Sequence, residues 1–412
     1  MTSGRPSGPL AGYRIVDFSA NMSGPYGTMI LGDQGADVVK VESPEGDPLR
    51  SVGTSRSGIS AYFANLNRSK RSVVINLSTA EGRELAQRLI DTADVVVQNF
   101  RPAVANRLGL TGLQLRAARP GLVCASVTGF GASGPYAGRP VYDHVIQAAS
   151  GIAASQTDGH TGQPSLIRQG IVDKVTGHVL AQAITAALLQ RSRTGMGCDL
   201  NVCMLDAAVA FLWPDGMMNH TIAEPDTELP SIANSFRLTR TRDGHVALTV
   251  LTSAQWKGLL KAVGYVDLAA DQGTWTANER MQRGGTVMKE VARHLSALTS
   301  EEVVAMMADH DVPCAPVVAL EDLVSHPQLR SNGTVEDVEH PVLGRIRQPR
   351  PVVDFDQGGA ACRRPVPSLG EHTVEVLSEI GVAADEIESL LGHRIVVSSA
   401  KSTHQAPERT IR

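Results

Sequence analysis

The most constraining feature of this sequence is a regular alternation, over residues 13–128, of short apolar runs with stretches of helical periodicity. Each run has the length of a buried strand, and each intervening stretch can return the chain to the same edge of a sheet. The strand-like runs are residues 13–18, 36–42, 72–77, 94–98 and 121–128. Repeated βαβ units of this kind predict an α/β fold with a doubly wound parallel sheet.

A long apolar helix is predicted over residues 174–193, with Gly195 as its stop signal. Asp173 stands just before this helix, where a carboxylate caps free N–H groups and is favoured by the positive end of the helix dipole. The residues alone leave two interpretations open. Asp173 is either only an N-cap, or an anion that also carries chemistry.

Two basic groups flank predicted strands. Lys70 and Arg71 precede the third strand, while Asn99-Phe100-Arg101 follows the fourth strand and Arg107 comes soon after. Ligands bind beyond the carboxyl ends of parallel strands, and arginine pairs well with phosphate oxygens. These residues therefore indicate a site for a phosphorylated ligand, with solvated surface charge as the alternative.

Composition excludes several classes of function. The net charge of −4 over 412 residues offers no general attraction to nucleic acid or to an anionic membrane. The start, MTSGRPSGPL, lacks the apolar core of a signal peptide, so a cytoplasmic location is expected. The five cysteines show no metal-ligand spacing, and we predict structural thiols and no metal site.

The run Gly129-Phe-Gly131-Ala-Ser-Gly134 matches G-x-G-x-x-G but opens no apolar helix, and no acidic residue follows near 20 positions on. A nicotinamide enzyme is therefore disfavoured, and the absence of G-x-S-x-G disfavours a hydrolase elbow. The glycine loop is better interpreted as backbone that approaches a ligand closely. Tyr142 and His144 follow it, and by themselves favour a structural role.

Composition changes near Ile222 and again near Ser325, which predicts a smaller α+β domain at 222–325. Residues 1–221 then form the N-terminal part of the large domain and residues 326–397 a C-terminal part. The polar stretch 398–412 is predicted to be a disordered tail.

From Leu10 to about Val397 the chain resembles the class III CoA-transferases, a family that includes formyl-CoA and carnitine CoA-transferases and, as a divergent branch, α-methylacyl-CoA racemase. The motifs that carry the resemblance are VDFSANMSGPYGTMILGDQGADVVKVE, NRSKRSVVINL, VVVQNFRP, GFGASGPYAGRPVYDHVIQAASG, RTGMGCDLNVCMLDAA, DVPCAPV and PSLGEHTVEVLSEIG. Each motif is weak alone, and their order and spacing are specific.

The resemblance implies a Rossmann-like large domain assembled from both ends of the chain, with the small domain inserted, and an interlocked homodimer. It implies that Asp173 is the nucleophile. It also implies CoA contacts near Lys70 and Arg71 and at a second group, namely Asn99, Phe100, Arg101 and Arg107. Met22 stands where formyl-CoA transferase has an acyl-contacting glutamine, and residues 251–254 lack the glycines of that enzyme's closing loop. A bulkier or more apolar acyl group is therefore expected.

The implied activity moves CoA between an acyl-CoA and a carboxylic acid through an aspartyl anhydride and an aspartyl-CoA thioester. Coenzyme A is then a substrate, and no permanently bound cofactor is expected. Backbone N–H groups near Gly129, Gly131 and Gly134 are candidate oxyanion donors. Racemization is the first alternative. Tyr142 occupies the racemase histidine position, and a phenol is a poor base near neutral pH. Tyr142 is therefore expected to be a catalytic-site residue that positions the substrate and does not abstract a proton. A non-catalytic acyl-CoA-binding protein is the second alternative.

Overall fold

The computed structural model describes residues 8–157, 161–226, 236–271, 275–355 and 361–399. It divides into two compact units. The large unit comprises Met1–Phe211 and Gly333–Arg412, and the small unit comprises Leu212–Asn332. The predicted tail lies outside the described residues from position 400 onward. Over the described ranges, no helix combines the length and apolarity that a membrane span requires.

The described strands are β1 (Arg14–Asp17), β2 (Asp37–Glu42), β3 (Ser55–Arg56), β4 (Ile59–Ser60), β5 (Lys70–Ile75), β6 (Val95–Gln98), β7 (Val123–Thr128), β8 (Asp199–Cys203), β9 (Leu238–Arg240), β10 (His245–Leu248), β11 (Cys314–Pro316), β12 (Val335–His340), β13 (Gly344–Pro349) and β14 (Val396–Val397). Five of the strands, β1, β2, β5, β6 and β7, match the predicted alternation with small shifts of their ends.

The helices fill most of the remaining described chain. They are α1 (Ser23–Asp33), α2 (Ala61–Asn67), α3 (Ala80–Ile90), α4 (Pro102–Leu108), α5 (Gly112–Ala118), α6 (Asp143–Ala149), α7 (Ile152–Ser155), α8 (Ile171–Thr194), α9 (Met204–Gly216), α10 (Met218–Thr221), α11 (Ser253–Ala262), α12 (Val266–Asp271), α13 (Ala277–Leu295), α14 (Ser300–Ala308), α15 (Pro327–Ser331), α16 (Thr373–Glu379) and α17 (Ala384–Gly392). Short 3₁₀ turns lie at Pro48–Ser51 and Leu320–Ser325.

The large unit is built on a seven-stranded sheet in the order β14-β5-β2-β1-β6-β7-β8. Every pairing is parallel except that of β14 with β5. Numbered among themselves, the parallel strands stand in the order 3-2-1-4-5-6, which is that of the Rossmann fold. The predicted α/β fold with a parallel sheet is therefore confirmed. In such a sheet the ligand crevice lies where the order reverses, here between β1 and β6.

Helices cover both faces of this sheet because its strands are apolar on both sides. On one face, Val16, Val39 and Val73 join a core cluster with residues of α3, α5, α16 and α17. On the other face, α1 lies so close to β2 that a Cβ on Gly32 would be 3.3 Å from Val38 Cγ2. The second face carries the candidate site.

The small unit has its own sheet and core. Strands β9, β10 and β11 pair antiparallel in the order β11-β10-β9. Its cluster includes Trp256 and Leu259 of α11, Leu295 of α13 and Met307 of α14. Residues 251–254 lead into α11, where the Thr252 hydroxyl accepts a bond from Gln255 N.

Candidate active site

Helices α1 and α8 pack at unusually short range because both carry glycine at the contact. A Cβ on Gly27 would be 2.8 Å from Gly177 O, and a Cβ on Gly177 would be 2.9 Å from Ser23 O. Gly27 also lies against Leu180, one turn further along α8. The contacts advance together along both helices, so the helices run in the same direction and their N-termini lie side by side.

Asp173 occupies this junction. It is the third residue of α8, and the hydroxyl of Ser23, the first residue of α1, donates a hydrogen bond to Asp173 Oδ1. The N-terminal N–H groups of a helix have no partner within the helix, and the dipoles of both helices present positive ends here. The carboxylate therefore lies where two helix termini favour negative charge.

The structure corrects the prediction that Asp173 is the N-cap of its helix. The N-cap is Gly170, which has no side chain, and the capping acceptor comes from Asp143 at the start of α6. Asp143 Oδ2 accepts from Asp173 N at 2.9 Å, and Asp143 Oδ1 accepts from Gln147 Nε2 at 2.6 Å. Because Asp143 supplies the cap, α8 begins at Ile171 and the Asp173 carboxylate is released for other contacts.

Burial dominates the electrostatics of Asp173. The pKa of Asp173 is raised from 3.8 to about 6, and loss of hydration is the largest cause. Hydrogen bonds from Ser23 oppose this rise in the pKa, and the nearby Asp143 carboxylate adds to it. We had expected the helix dipole to keep this group ionised. Desolvation outweighs the favourable helix ends, since the ionised form is the one that burial penalises. At neutral pH the group is still mostly ionised, with a pKa close enough to the working range for chemistry.

Tyr62 also lies in this neighbourhood. Burial raises the pKa of its phenol, and the Asp173 and Asp143 carboxylates add to that rise. Tyr62 is the second residue of α2, which follows the β3–β4 hairpin. The phenol is exposed enough to meet a ligand, at 38% of its surface.

Met22 provides an apolar wall beside the carboxylate. It is buried in a cluster with Ile59, Phe63 and other residues of the large unit. A Cβ on Gly170 would be 2.9 Å from Met22 Sδ and 3.6 Å from Asp143 Oδ2, so the thioether lies at the start of α8. Contact between Met22 and the acyl group stays a prediction.

Tyr142 and the glycine loop are placed differently. Tyr142 is 64% exposed, and its ring stacks near His144 with centroids 6.3 Å apart. Gly129 is held by a bond from Leu205 N to its carbonyl at 3.0 Å, while Gly131 and Gly134 have φ values of 94° and 93°. The role of the backbone N–H groups of residues 129–134 as oxyanion donors stays a prediction.

The loop between β1 and α1, residues 18–22, is held by side-chain hydrogen bonds from Asn99 and Lys40. Asn99 Nδ2 donates to Ala20 O at 2.7 Å, and Ala20 N donates to Asn99 Oδ1 at 3.0 Å. Lys40 Nζ donates to Ser19 O at 2.8 Å and forms an ion pair with Asp47 at 2.9 Å. Asn99, predicted as a CoA contact, thus uses both ends of its amide to position the loop that leads to Ser23.

A cavity of about 880 Å³ opens at the carboxyl ends of β1, β2 and β5. Its lining includes Phe100, Arg107 and Arg83 from the predicted ligand side, and Ser19 and Ala20 from the loop between β1 and α1. Arg101 and Arg107 are both exposed. The cavity lies along the carboxyl ends of the strands on one side of the reversal point and reaches Phe100 and Arg107, which follow β6 on the other side. Ligands of doubly wound sheets bind at this edge.

Lys70 and Arg71 do not fit the role predicted for them. Lys70 is fully buried, and its ammonium donates to Asp17 Oδ2, Pro25 O and Asn67 Oδ1 at 3.2, 2.8 and 2.9 Å. With all three donors used inside the protein, Lys70 has none to offer a phosphate.

Arg71 is likewise buried, and its guanidinium forms ion pairs with Asp37, Glu375 and Glu379. Strand β5 begins at Lys70, two residues before the predicted start, so the two side chains project to opposite faces of the sheet. Lys70 contacts α1 and α2 on one face, and Arg71 contacts α16 on the other. Their role in this structure is structural.

Sequence reasoning missed Ser23, Asp143 and Tyr62. Ser23 directly follows the loop at the carboxyl end of β1, a position that could have drawn attention once the sheet was predicted. Asp143 and Tyr62 carry no local signal, since their partner lies 30 or more positions away in the chain. Within the described ranges, no group of three His, Cys, Asp or Glu side chains is arranged to hold a metal ion.

The comparisons with known proteins identify the family and support the fold. A family model described as CoA-transferase family III matches residues 10–373. The chain is 32% identical to the probable fatty acyl-CoA transferase Rv3272 of Mycobacterium tuberculosis over 92% of its own length and all of the relative's. A crystal structure of Rv3272 superposes with a TM-score of 0.79 at 31% identity, covering 90% of this chain and 99% of that one.

Two further relatives have more specific names. A succinate–glutarate CoA-transferase of Agrobacterium fabrum is 33% identical, with 90% of this chain and 96% of the relative covered. A formyl-CoA:oxalate CoA-transferase of Escherichia coli O157:H7 is 31% identical, with 93% and 98% covered. The chain therefore belongs to CoA-transferase family III, and the resemblance in its sequence motifs is confirmed.

Proposed function

We propose that this protein transfers coenzyme A between an acyl-CoA thioester and a free carboxylic acid, with Asp173 as the nucleophile. The observation that carries the proposal is a half-buried carboxylate where the N-termini of two helices meet. It accepts a hydrogen bond from a hydroxyl, and no cation is among the causes of its pKa shift. A desolvated carboxylate that serves only stability is normally paired with a cation. Asp173 is instead a partly desolvated anion without such a cation.

The reaction proceeds in steps that balance. One oxygen of Asp173 attacks the thioester carbon, the C–S bond breaks, and CoA leaves as a thiolate from a mixed anhydride. The thiolate then attacks the carbonyl carbon of Asp173 and expels the donor acid, which leaves an aspartyl-CoA thioester. The acceptor carboxylate reverses both steps with its own oxygen and departs as the new thioester, and Asp173 is regenerated.

The cavity beyond β1, β2 and β5 is the proposed seat of the nucleotide part of CoA. Phe100 and Arg107 line it, which supplies an apolar ring and a guanidinium for a base and a phosphate. Arg101 is the exposed N-cap of α4 and does not line the cavity, and we propose it as a second phosphate contact. Coenzyme A enters as a substrate in this scheme.

The acyl group is proposed to be apolar. Met22 and its buried neighbours form the wall beside Asp173, and a thioether accommodates irregular apolar groups better than it does a second carboxylate. Profiling with acetyl-, succinyl- and branched-chain acyl-CoA tests this point, with the branched-chain donor expected to give the highest kcat/KM. A preference for succinyl-CoA would contradict it.

The organisation of the chain is part of the proposal. We infer a large domain made of 1–221 and 326–397, a small domain of 222–325, and an interlocked homodimer in the cytoplasm. Large apolar side chains that one copy leaves exposed, such as Leu189 and Phe211, support a second copy. Analytical ultracentrifugation that finds only monomer at micromolar concentration would contradict the dimer.

The covalent step is tested by trapping. Wild-type protein mixed with acyl-CoA and quenched with hydroxylamine should yield a hydroxamate at Asp173 in a peptide map. In Asp173→Asn the adduct should be lost and the transfer rate should fall at least about 10⁴-fold, or about 5.4 kcal/mol in the barrier, because an amide cannot form the anhydride.

Asp91→Asn is the matched control. It makes the same exchange at an exposed residue of the α3 C-terminus and should leave the rate unchanged. A folded Asp173→Asn protein that keeps substantial transferase activity would refute the proposed function.

A further inference from the structure

The two oxygens of Asp173 are not equivalent in this site. Ser23 Oγ donates to Asp173 Oδ1, while the Asp143 side chain is engaged with the backbone N–H of Asp173 and with Gln147. The other neighbour of the Ser23 hydroxyl is the thioether of Met204, at 3.9 Å. Sulfur of this kind is a weak acceptor, so the hydroxyl proton is directed to the carboxylate.

Ser23 is also held rigidly. It is buried to 4% exposure and is the first residue of α1, whose backbone packs directly on α8 through Gly27 and Gly177. Its backbone N–H adds a second hydrogen-bonding contribution that favours the anionic form of Asp173. Donors fixed in this way need no reorganisation when charge develops on the oxygen that they face.

We propose that the Ser23 hydroxyl is the oxyanion donor for the steps that take place at the carbonyl carbon of Asp173. This inference rests on the proposed function, because it assigns a partner to one atom of the proposed nucleophile. Oδ2 is then the attacking oxygen, and Oδ1 becomes the carbonyl oxygen of the anhydride and of the aspartyl-CoA thioester.

The assignment separates the reaction into two kinds of step. When thiolate attacks the Asp173 carbonyl carbon, the C=O electrons move onto Oδ1, and they return when the bond to the donor acid breaks. The attack of the acceptor carboxylate on aspartyl-CoA places charge on the same oxygen, and the C–S bond then breaks. In the first and last steps the charge develops on the acyl oxygen, whereas the Ser23 hydroxyl donates to Asp173 Oδ1. Ser23 therefore acts on the two middle steps.

The test is Ser23→Ala, measured by rapid quench and intact mass of the enzyme–CoA thioester. Removing one oxyanion donor is expected to slow formation of the aspartyl-CoA adduct about 10²-fold, with KM for acyl-CoA changed less than about twofold. Ser23→Thr keeps the hydroxyl and should recover most of the rate. Tyr26→Phe is the matched control. It also removes a hydroxyl from α1, but this hydroxyl contacts His178 and not Asp173.

A second readout does not depend on turnover. The Ser23 hydrogen bond lowers the pKa of Asp173, so the pKa of this carboxyl, followed by ¹³C NMR of labelled aspartate, should rise in Ser23→Ala. A variant that is merely unstable would not show this shift while its unfolding curve stays normal.

The outcomes separate the two proposals. Wild-type protein that never forms a CoA adduct overturns both. Ser23→Ala that forms the adduct at the wild-type rate overturns only the role of Ser23 and leaves Asp173 as the nucleophile. Slower formation of the adduct in Ser23→Ala, with the Asp173 pKa unchanged, also overturns the role of Ser23. The hydroxyl would then not act on Oδ1.

Discussion

Charged groups at the two edges of the main sheet differ in whether the fold supplies their partners. At the amino-end edge, Arg14 and Arg71 each face carboxylates, with Asp37 and Glu379 shared between them. The carboxyl-end edge also has internal ion pairs, such as that of Lys40 with Asp47. At this edge, however, Arg107 lines a cavity, and no cation is among the causes of the pKa shift of half-buried Asp173. For these two groups we propose partners in the substrate.

The difference teaches how to interpret basic residues next to a strand. Lys70 and Arg71 begin β5, whereas Arg101 and Arg107 follow β6. Because only the carboxyl ends of parallel strands meet at the ligand crevice, the side of the strand decides the role. Strand polarity therefore separates a structural cation from a binding one more reliably than charge alone.

The largest effect is expected at Lys70. Lys70→Met keeps the length of the side chain but leaves Asp17 buried without its direct partner, so the free energy of unfolding should fall by about 3–5 kcal/mol. Urea denaturation measures the loss. Calorimetry on the folded fraction should show CoA affinity unchanged, since no donor of Lys70 faces the cavity.

Lys257→Met is the control for the loss of a lysine. Lys257 is exposed on α11 of the small unit, and its substitution should change stability by less than about 0.5 kcal/mol. Weakened CoA binding in Lys70→Met, with stability intact, would reverse our assignment of the two edges.

The next effect concerns the stability of Asp173→Asn. Because burial raises the folded-state pKa from 3.8 to about 6, the folded protein binds a proton more tightly than the unfolded chain does. Wild-type stability should therefore fall as pH rises from about 4 to 6, by about 2–3 kcal/mol, and stay level above. Asp173→Asn has no carboxyl group to titrate at this position, so its stability should not decrease in this way as the pH rises.

Thermal or urea unfolding at several pH values measures the difference. The two proteins should be similar near pH 4, and Asp173→Asn should be the more stable by about 2–3 kcal/mol at pH 7. If Asp173 were the helix cap of our first interpretation, the variant would instead be equally or less stable at pH 7.

How much of the structure the sequence predicts depends on how far apart in the chain two contacting residues are. The parallel sheet followed from local alternation, and the start and end of α8 lie close to the predicted positions. The partners of Arg71 lie 304 and 308 positions away, at Glu375 and Glu379, and no local pattern announces them. A buried ion pair and a phosphate site therefore look alike in the sequence.

The same limit applies to the site. Asp173 was identified because its setting at a helix start is local, but its role as an N-cap was wrong because the true capping side chain, Asp143, comes from another helix. Ser23 was missed for the same reason, since only the glycine contact between α1 and α8 brings it to Asp173. Local patterns located the carboxylate, and tertiary packing determined what surrounds it.

A smaller effect is expected at the carboxyl-end edge. Arg107→Ala should weaken CoA binding about tenfold, or about 1.4 kcal/mol, and the loss should shrink as salt screens the contact in the wild type. Titration calorimetry at low and high salt measures both. Arg88→Ala, which removes a half-exposed arginine paired with Glu386, should leave CoA affinity unchanged. Equal affinities for wild type and Arg107→Ala would remove the distinction between the two edges.

The smallest effect is expected at Tyr142, which tests whether the carboxyl-end edge holds one reactive group or two. Its phenol is 64% exposed and stacks beside His144, and none of its described contacts reaches Asp173. Racemization would need two acid/base groups, whereas CoA transfer through Asp173 needs no base at Tyr142. Tyr142→Phe should therefore change the transfer rate by less than about twofold, or about 0.4 kcal/mol.

The same point is tested by proton exchange. Incubation of a chiral α-methylacyl-CoA with the wild-type protein in D₂O should give negligible deuterium at the α-carbon, as measured by mass spectrometry. Rapid exchange that disappears in Tyr142→Phe would show that Tyr142 is a base and that the protein is an isomerase.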